Sequence, residues 1–265
     1  MSGIILDRSE FVVLMDAVDA DEIVGLNTDA MVPTDETQLK AMLDKGLDLL
    51  QKRGALRVVD DVNILNVDLL SMAVLVANPE VAVITTRDNP GLGQQLFLHY
   101  AAGDVIVEQT LPSAEQHRWA LVPGQAALAE RVVGILPVQA EAGPSSFSFR
   151  IEQDDFLKAK QFIETGQRAE GLKIFQSQGL TSDQADQLAA IIAKPTFGGS
   201  VAVLQCRHGE IVDARNLAVA QGEQAAIFMK QAQPGETLLE VTTCQESTVR
   251  SLVANWLAEL SNRQN

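Results

Sequence analysis

From Thr34 the chain carries a helical apolar pattern. In "TDETQLKAMLDKGLDLLQKRGAL" the residues Leu39, Met42, Leu43, Leu47 and Leu50 share one face, and Gly54 sits where a helix end needs positive φ. A second helical run spans about Val67 to Ala77, and Pro79 stops it, because proline lacks an N–H and crowds the preceding turn. The period then changes to two. "VAVITT", "QLFLHYAA", "VIVEQT" and "RWALV" are short β-branched runs separated by "RDNPGLG", "GD" and "LPSAEQ", the signature of an antiparallel meander. After Gly124 the helical period returns with Leu128, Val132 and Ile135, and closes near Pro137.

The same order recurs. Helical runs near Asp154 to Thr165 and Ala169 to Gln178 lead to a stop at Gly179, then to "TSDQADQLAAIIAKP", where Thr181 and Gln184 have capping-box spacing. Strand-like runs follow in "SVAVLQC", "IVDARNLAV", "AAIFMKQ" and "ETLLEVT". A last helix is expected to open on a Thr243/Glu246 box and carries Val249, Leu252, Val253, Trp256 and Leu260 on one face.

Two such patterns predict an α+β fold of two related halves. Each half has helices, a four-stranded antiparallel meander and a closing helix, and the two are expected to be arranged with pseudo-twofold symmetry. The boundaries read as residues 1–138 for the first half with its leading helix, 139–148 ("QAEAGPSSFS") for a linker, and 149–265 for the second half; together they are compatible with one continuous domain. Gly54 to Pro79 spans 25 positions and Gly179 to Pro195 spans 16, so the copies differ by an insertion.

Composition narrows the function classes. With 35 Asp and Glu against 20 Lys and Arg, the net charge is −15, a field that repels phosphate backbones and anionic headgroups. Neither nucleic acid nor membrane insertion is expected. The first residues, "MSGIILDRSEFVVLMDAVDADEIVGL", lack the basic start and unbroken apolar core of a signal peptide, so a cytoplasmic location is expected. Two cysteines, Cys206 and Cys244, are too few for a disulfide framework.

Reactive constellations are sparse. His99, His117 and His208 form no zinc-ligand spacing, and neither cysteine has a sequence neighbour that completes a metal site. Cys206 and His208, two apart at a strand end, are the nearest approach to a thiolate and its base. Cys244 at an expected helix start would feel a dipole that lowers a thiol pKa, set against a small apolar role under the helix. "PGLGQQL" leads into a strand, so it is a hairpin turn and not a dinucleotide loop. The acidic runs Asp16 to Glu22 and Asp60-Asp61 read as a solvated face and a chain turn. No enzyme, cofactor or metal is expected.

The helix "AMLDKGLDLLQKRGAL", the following "DLLSMAVLVANPEVAVIT", the hairpins, and a second half ending in "TTCQESTVRSLVANWLAEL" resemble the EspG family of ESX (type VII) secretion chaperones, from about Thr34 to Leu260. The resemblance implies a cytosolic, non-enzymatic protein of two α+β halves about a central sheet that holds an aggregation-prone helical secretion substrate. In that family a loop between strands of the first sheet tends to meet the substrate. Its counterpart here is "RDNPGLGQ", which makes Arg87, Asp88, Asn89, Pro90 and Leu92 the expected partner contacts.

The residues themselves leave three roles open: an adaptor or chaperone that binds protein through its sheet face and loops, a small-molecule sensor using the crevice between the halves, or an enzyme using Cys206, His208 or Cys244. An exposed sheet edge would also admit a homodimer.

Overall fold

The computed structural model describes residues 3–20, 22–91, 93–136, 138, 146–233 and 235–262. In the first half the elements are β1 (Ile4–Asp7), α1 (Arg8–Ala17), α2 (Glu36–Lys52), β2 (Leu56–Val59), β3 (Val62–Leu65), α3 (Val67–Ala77), β4 (Val81–Asn89), β5 (Gly93–Ala102), β6 (Val105–Ser113), β7 (Gln116–Pro123) and α4 (Gly124–Ile135). In the second they are β8 (Ser148–Glu152), α5 (Gln153–Glu164), α6 (Arg168–Ser177), α7 (Ser182–Ala193), β9 (Phe197–Arg207), β10 (Glu210–Gln221), β11 (Ala226–Gln231), β12 (Leu238–Cys244) and α8 (Glu246–Asn262). The class is α+β, with antiparallel strands. Of the linker read at 139–148, residues 139–145 lie outside the described residues, Phe147 is buried, and Ser148 opens β8.

The chain divides into two compact units. Unit 1 comprises residues 1–84, 97–128 and 204–213; unit 2 comprises 85–96, 129–203 and 214–265. In unit 1 the strand order is β1-β7-β6-β5-β4-β9-β10, and in unit 2 it is β5-β4-β9-β10-β11-β12-β8. Strands β4, β5, β9 and β10 contribute residues to both.

The repeat seen in the sequence holds down to single hydrogen bonds. Each half begins with a short strand, unforeseen in the sequence, that pairs antiparallel with the fourth meander strand: Asp7 opposite Gln116, and Glu152 opposite Leu238. Each of these strands runs straight into a helix through an acidic residue with extended backbone, Asp7 (φ −66°, ψ 152°) and Glu152 (φ −61°, ψ 140°). The next amide in each half donates to the turn ahead of that fourth strand, Arg8 to Glu115 and Gln153 to Thr237, both at 2.9 Å. The proline-stopped helices end alike, Asn78 at φ −131°, ψ 65° and Lys194 at φ −149°, ψ 69°, since a residue before proline is pushed out of the α region. Glu80 then donates to Ala101 and Thr196 to Gln221. Gly54 and Gly179 stand at corresponding helix ends with φ +72° and +96°.

The insertion between the copies is the β2–β3 hairpin. It turns on Asp60 and Asp61, at φ 51° and 61°, the two left-handed residues of a type I′ turn. The capping box at Thr181 and Gln184 forms as read. The one expected at Thr243 and Glu246 does not: Thr243 stays in β12 opposite Ile227, and its hydroxyl accepts from the Phe147 amide at 3.1 Å. Strand pairing competes for the residue and wins. Helix α8 buries Val249, Val253, Trp256 and Leu257.

Unit 1 packs α1 on the sheet through Phe11, whose ring stacks on His117 with centroids 3.9 Å apart and 3° between planes. Gly46 lets α2 approach α1; a Cβ there would fall on the Ser9 carbonyl and 2.7 Å from Val13 Cγ2. The free edge of β1 is closed by Arg53, which donates to the Ile5 carbonyl at 2.8 Å and pairs with buried Glu10 at 2.7 Å. Unit 2 is built around Phe149, Ile151, Phe156, Phe175, Leu188, Ile191 and Ile227. Its outer strand β8 exposes Arg150 and Glu152.

Candidate functional site

The corresponding registers allow the sheet face under α1 to be compared, residue by residue, with the face under α5. Tyr100 pairs with Val107 and Leu98 with Gln109 in unit 1, as Ala220 pairs with Ile227 and Ala218 with Met229 in unit 2. Counting from the matched Glu80 and Thr196 amides, Ile84 corresponds to Ser200. Three large side chains are thus replaced by small ones. Leu98, Tyr100, Val107 and Gln109 are all 0–1% exposed, whereas Ala218 and Ala220 are half-buried.

What covers the first face is the long connection between α1 and α2. Tyr100 donates to the Val24 carbonyl at 2.9 Å, Ile23 is buried, and Gly25 (φ +85°) lies so close that a Cβ would stand 2.8 Å from Leu98 and 3.0 Å from Ile84. In unit 2 the link between α5 and α6 is only Thr165, Gly166 and Gln167, too short to cross the sheet. The face is left as a groove of about 680 Å³. Phe156, Ile191, Ala218, Ala220, Ile227 and Met229 line it, and Leu157 on its rim is 50% exposed. Lys160, Glu164 and Lys230 also line it; Lys160 lies 3.7 Å from Glu164, and Lys230 bonds Glu240 at 2.8 Å. An apolar floor with paired charges around it suits an amphipathic protein segment.

The groove was missed in the sequence. Aligning the copies on Pro79 and Pro195 does not reveal it, since Leu98 and Tyr100 then fall on Ala214 and Asn216; only the strand registers match them with Ala218 and Ala220.

The expected partner-contact residues lie on the β4–β5 hairpin of unit 2. Arg87 donates to Asn89 Oδ1 at 3.2 Å and sits 5.8 Å from the centre of the Phe197 ring. Asp88 and Pro90 are exposed at the tip, and Leu92 lies outside the described residues. Neither Arg87, Asp88, Asn89 nor Pro90 lines the groove. The hairpin is pinned by Thr86 and Ser200, whose hydroxyls are 2.7 Å apart.

Cys206 and His208 do not come together as a reactive pair. Cys206 is buried, and burial pushes its thiol up; His208 is exposed at φ 53° in the turn between β9 and β10. Burial likewise pushes the Cys244 thiol up to about 12, opposite to what a helix start would do, because Cys244 ends β12. Among the described residues no three His, Cys, Asp or Glu side chains gather to hold a metal ion, and no helix is long and apolar enough to cross a membrane.

Two buried polar sets occupy unit 1. His99 Nε2 lies 3.3 Å from Glu108, which also meets Arg118 at 3.5 Å. On the other face Trp119 donates to Gln109 (3.1 Å), whose amide nitrogen is 2.8 Å from His117 Nδ1. Burial, with the Arg8 charge as a lesser cause, lowers the His117 pKa to about 4.

No family model matches the sequence, and no curated protein matches it. Among solved structures, the chain is similar to the Mycobacterium tuberculosis type VII secretion system chaperone EspG5, determined in complex with a PE25–PPE41 dimer. The match has a TM-score of 0.70 at 15% identity and covers 95% of this chain and 94% of that one, so the α+β class expected from the sequence patterns and the EspG-like fold implied by the resemblance are the fold observed.

Proposed function

We propose that this chain is a non-catalytic secretion chaperone that holds a helical, PE–PPE-type protein pair through the groove of unit 2, with the β4–β5 hairpin as a second contact. The observation that carries the reading is the match over 95% of the chain to EspG5, a protein captured with such a dimer. The groove supports it independently. Where unit 1 seats its own segment, with Ile23 as anchor and Gly25 in close approach, unit 2 presents an unfilled apolar face. A partner's tip placed there satisfies the same surface.

The test is co-expression with PE–PPE-type pairs from the same cell, followed by size-exclusion chromatography with light scattering. A stable complex is expected. The double substitution Ala218→Leu, Ala220→Tyr gives the groove the side chains that fill unit 1, and should weaken the complex by about tenfold or more while the chaperone stays folded. Failure of every such pair to bind, or binding indifferent to the filled groove, overturns the reading. The groove's volume also lies in the range of drug-sized ligands. A sensor would instead show stabilisation by a small apolar molecule, lost in the same double variant.

A further inference from the structure

The β2–β3 hairpin has no counterpart in the second half of the chain. Its Val58, Val59, Val62 and Ile64 are 49, 48, 60 and 45% exposed, on a two-stranded ribbon whose outer edges are unpaired among the described residues. Such a ribbon is marginal alone in water, and an unpaired strand edge is a template for another strand. The terminal strands of the two units are guarded, β1 by the Arg53 guanidinium on the Ile5 carbonyl and β8 by exposed Arg150 and Glu152. Strand β3, Val-Asn-Ile-Leu, carries no charge, proline or bulge.

We propose that the outer edge of β3 is a self-association surface that pairs antiparallel with β3 of a second copy, about a twofold axis at Asn63. Two features of the register point to a second copy. In a hairpin with a two-residue turn, Val59 and Val62 form the hydrogen-bonded pair nearest the turn, so the next pair, Val58 and Asn63, turns its N–H and C=O groups outward. Asn63 is therefore able to exchange both backbone bonds with Asn63 of a like strand.

Side-chain alternation then settles the faces. A twofold axis normal to the sheet keeps each face on its own side, so residues opposite one another are of equal parity. Centring on Asn63 meets that condition and sets Val62 of each copy opposite Ile64 of the other. These side chains join Val59 in one aliphatic face, with the two Arg57 at opposite corners. No like charges face each other across the seam.

The contact is weak. A four-residue strand from each copy falls below the roughly 1,200 Å² of a stable interface, and two copies of charge −15 repel. Screening therefore strengthens it, so association rises with salt as well as concentration.

Sedimentation velocity from low to high micromolar protein, at two ionic strengths, tests the proposal independently of any substrate. A reversible monomer–dimer equilibrium is expected. Asn63→Pro removes the outward N–H without touching a bond inside the hairpin, and Ile64→Lys places a charge in the seam. Each should raise the dimer dissociation constant by about tenfold or more. Val212→Lys, at an exposed position on another hairpin, should leave it unchanged, with far-UV circular dichroism matching in all variants. A monomer at every concentration and salt, or a dimer that ignores both Asn63→Pro and Ile64→Lys, overturns the proposal.

Discussion

Lowering the pH should strip stability from unit 1 through His117. The ring is 1% exposed, stacked on Phe11, and its Nδ1 accepts from Gln109, an arrangement open only to the neutral imidazole. Its pKa falls from 6.5 to about 4 on folding. Between those values the unfolded chain binds a proton that the native protein refuses, so stability declines as pH falls. At about 1.4 kcal/mol per pKa unit, the loss is about 2 kcal/mol at pH 5 and about 3 kcal/mol at pH 4, relative to pH 8. The assay is urea unfolding followed by tryptophan fluorescence, since Trp119 is buried beside the histidine, in wild type and His117→Phe. Phenylalanine keeps the stack but strands the Gln109 amide, which should cost about 1–3 kcal/mol at pH 8. The variant should then lose less with acid, by the same 2 and 3 kcal/mol, so the curves converge. Carboxylates such as Asp7 and Glu10 are common to both proteins and cancel in the difference. Parallel pH curves, or an NMR midpoint for His117 near 6.5, would refute the reasoning.

Two further outcomes follow from packing. Gly46→Ala should destabilise by about 1–3 kcal/mol in thermal melts, because the added methyl meets the Ser9 carbonyl and Val13, and overpacking outweighs the gain of up to about 1 kcal/mol in helix propensity; an unchanged or higher melting temperature would contradict it. Cys206 and Cys244, both buried with raised pKa values, should resist a thiol reagent at pH 8 and react together on unfolding. Rapid labelling of either in the native protein would reopen a nucleophilic role.

The sequence patterns located the meander strands and the helices that carry a full apolar face. The run from Val67 stops at Ala77 with Pro79 beyond it, and Thr181 with Gln184 closes its box, because proline sterics and capping act within one turn. The 25 against 16 spacing signalled an insertion, which is the β2–β3 hairpin. Strands β1 and β8 were not legible. Four or five residues hold too little periodicity, and both become strands only by pairing with partners more than eighty residues away. Thr243 was misread as a cap for the same reason, since its competing partners, Ile227 and Phe147, are remote in sequence.

The sequence by itself thus determined the α+β class and the repetition of its elements, since periodicity, capping and turn chemistry are properties of neighbouring residues. Tertiary structure alone decided which copy of the repeated face is filled and which lies open. Ile23 and Gly25 cover Leu98 and Ile84, while among the described residues no such segment covers Ala218, Ala220 and Ser200. Whether a surface is core or groove depends on what packs across it, and no local pattern encodes that.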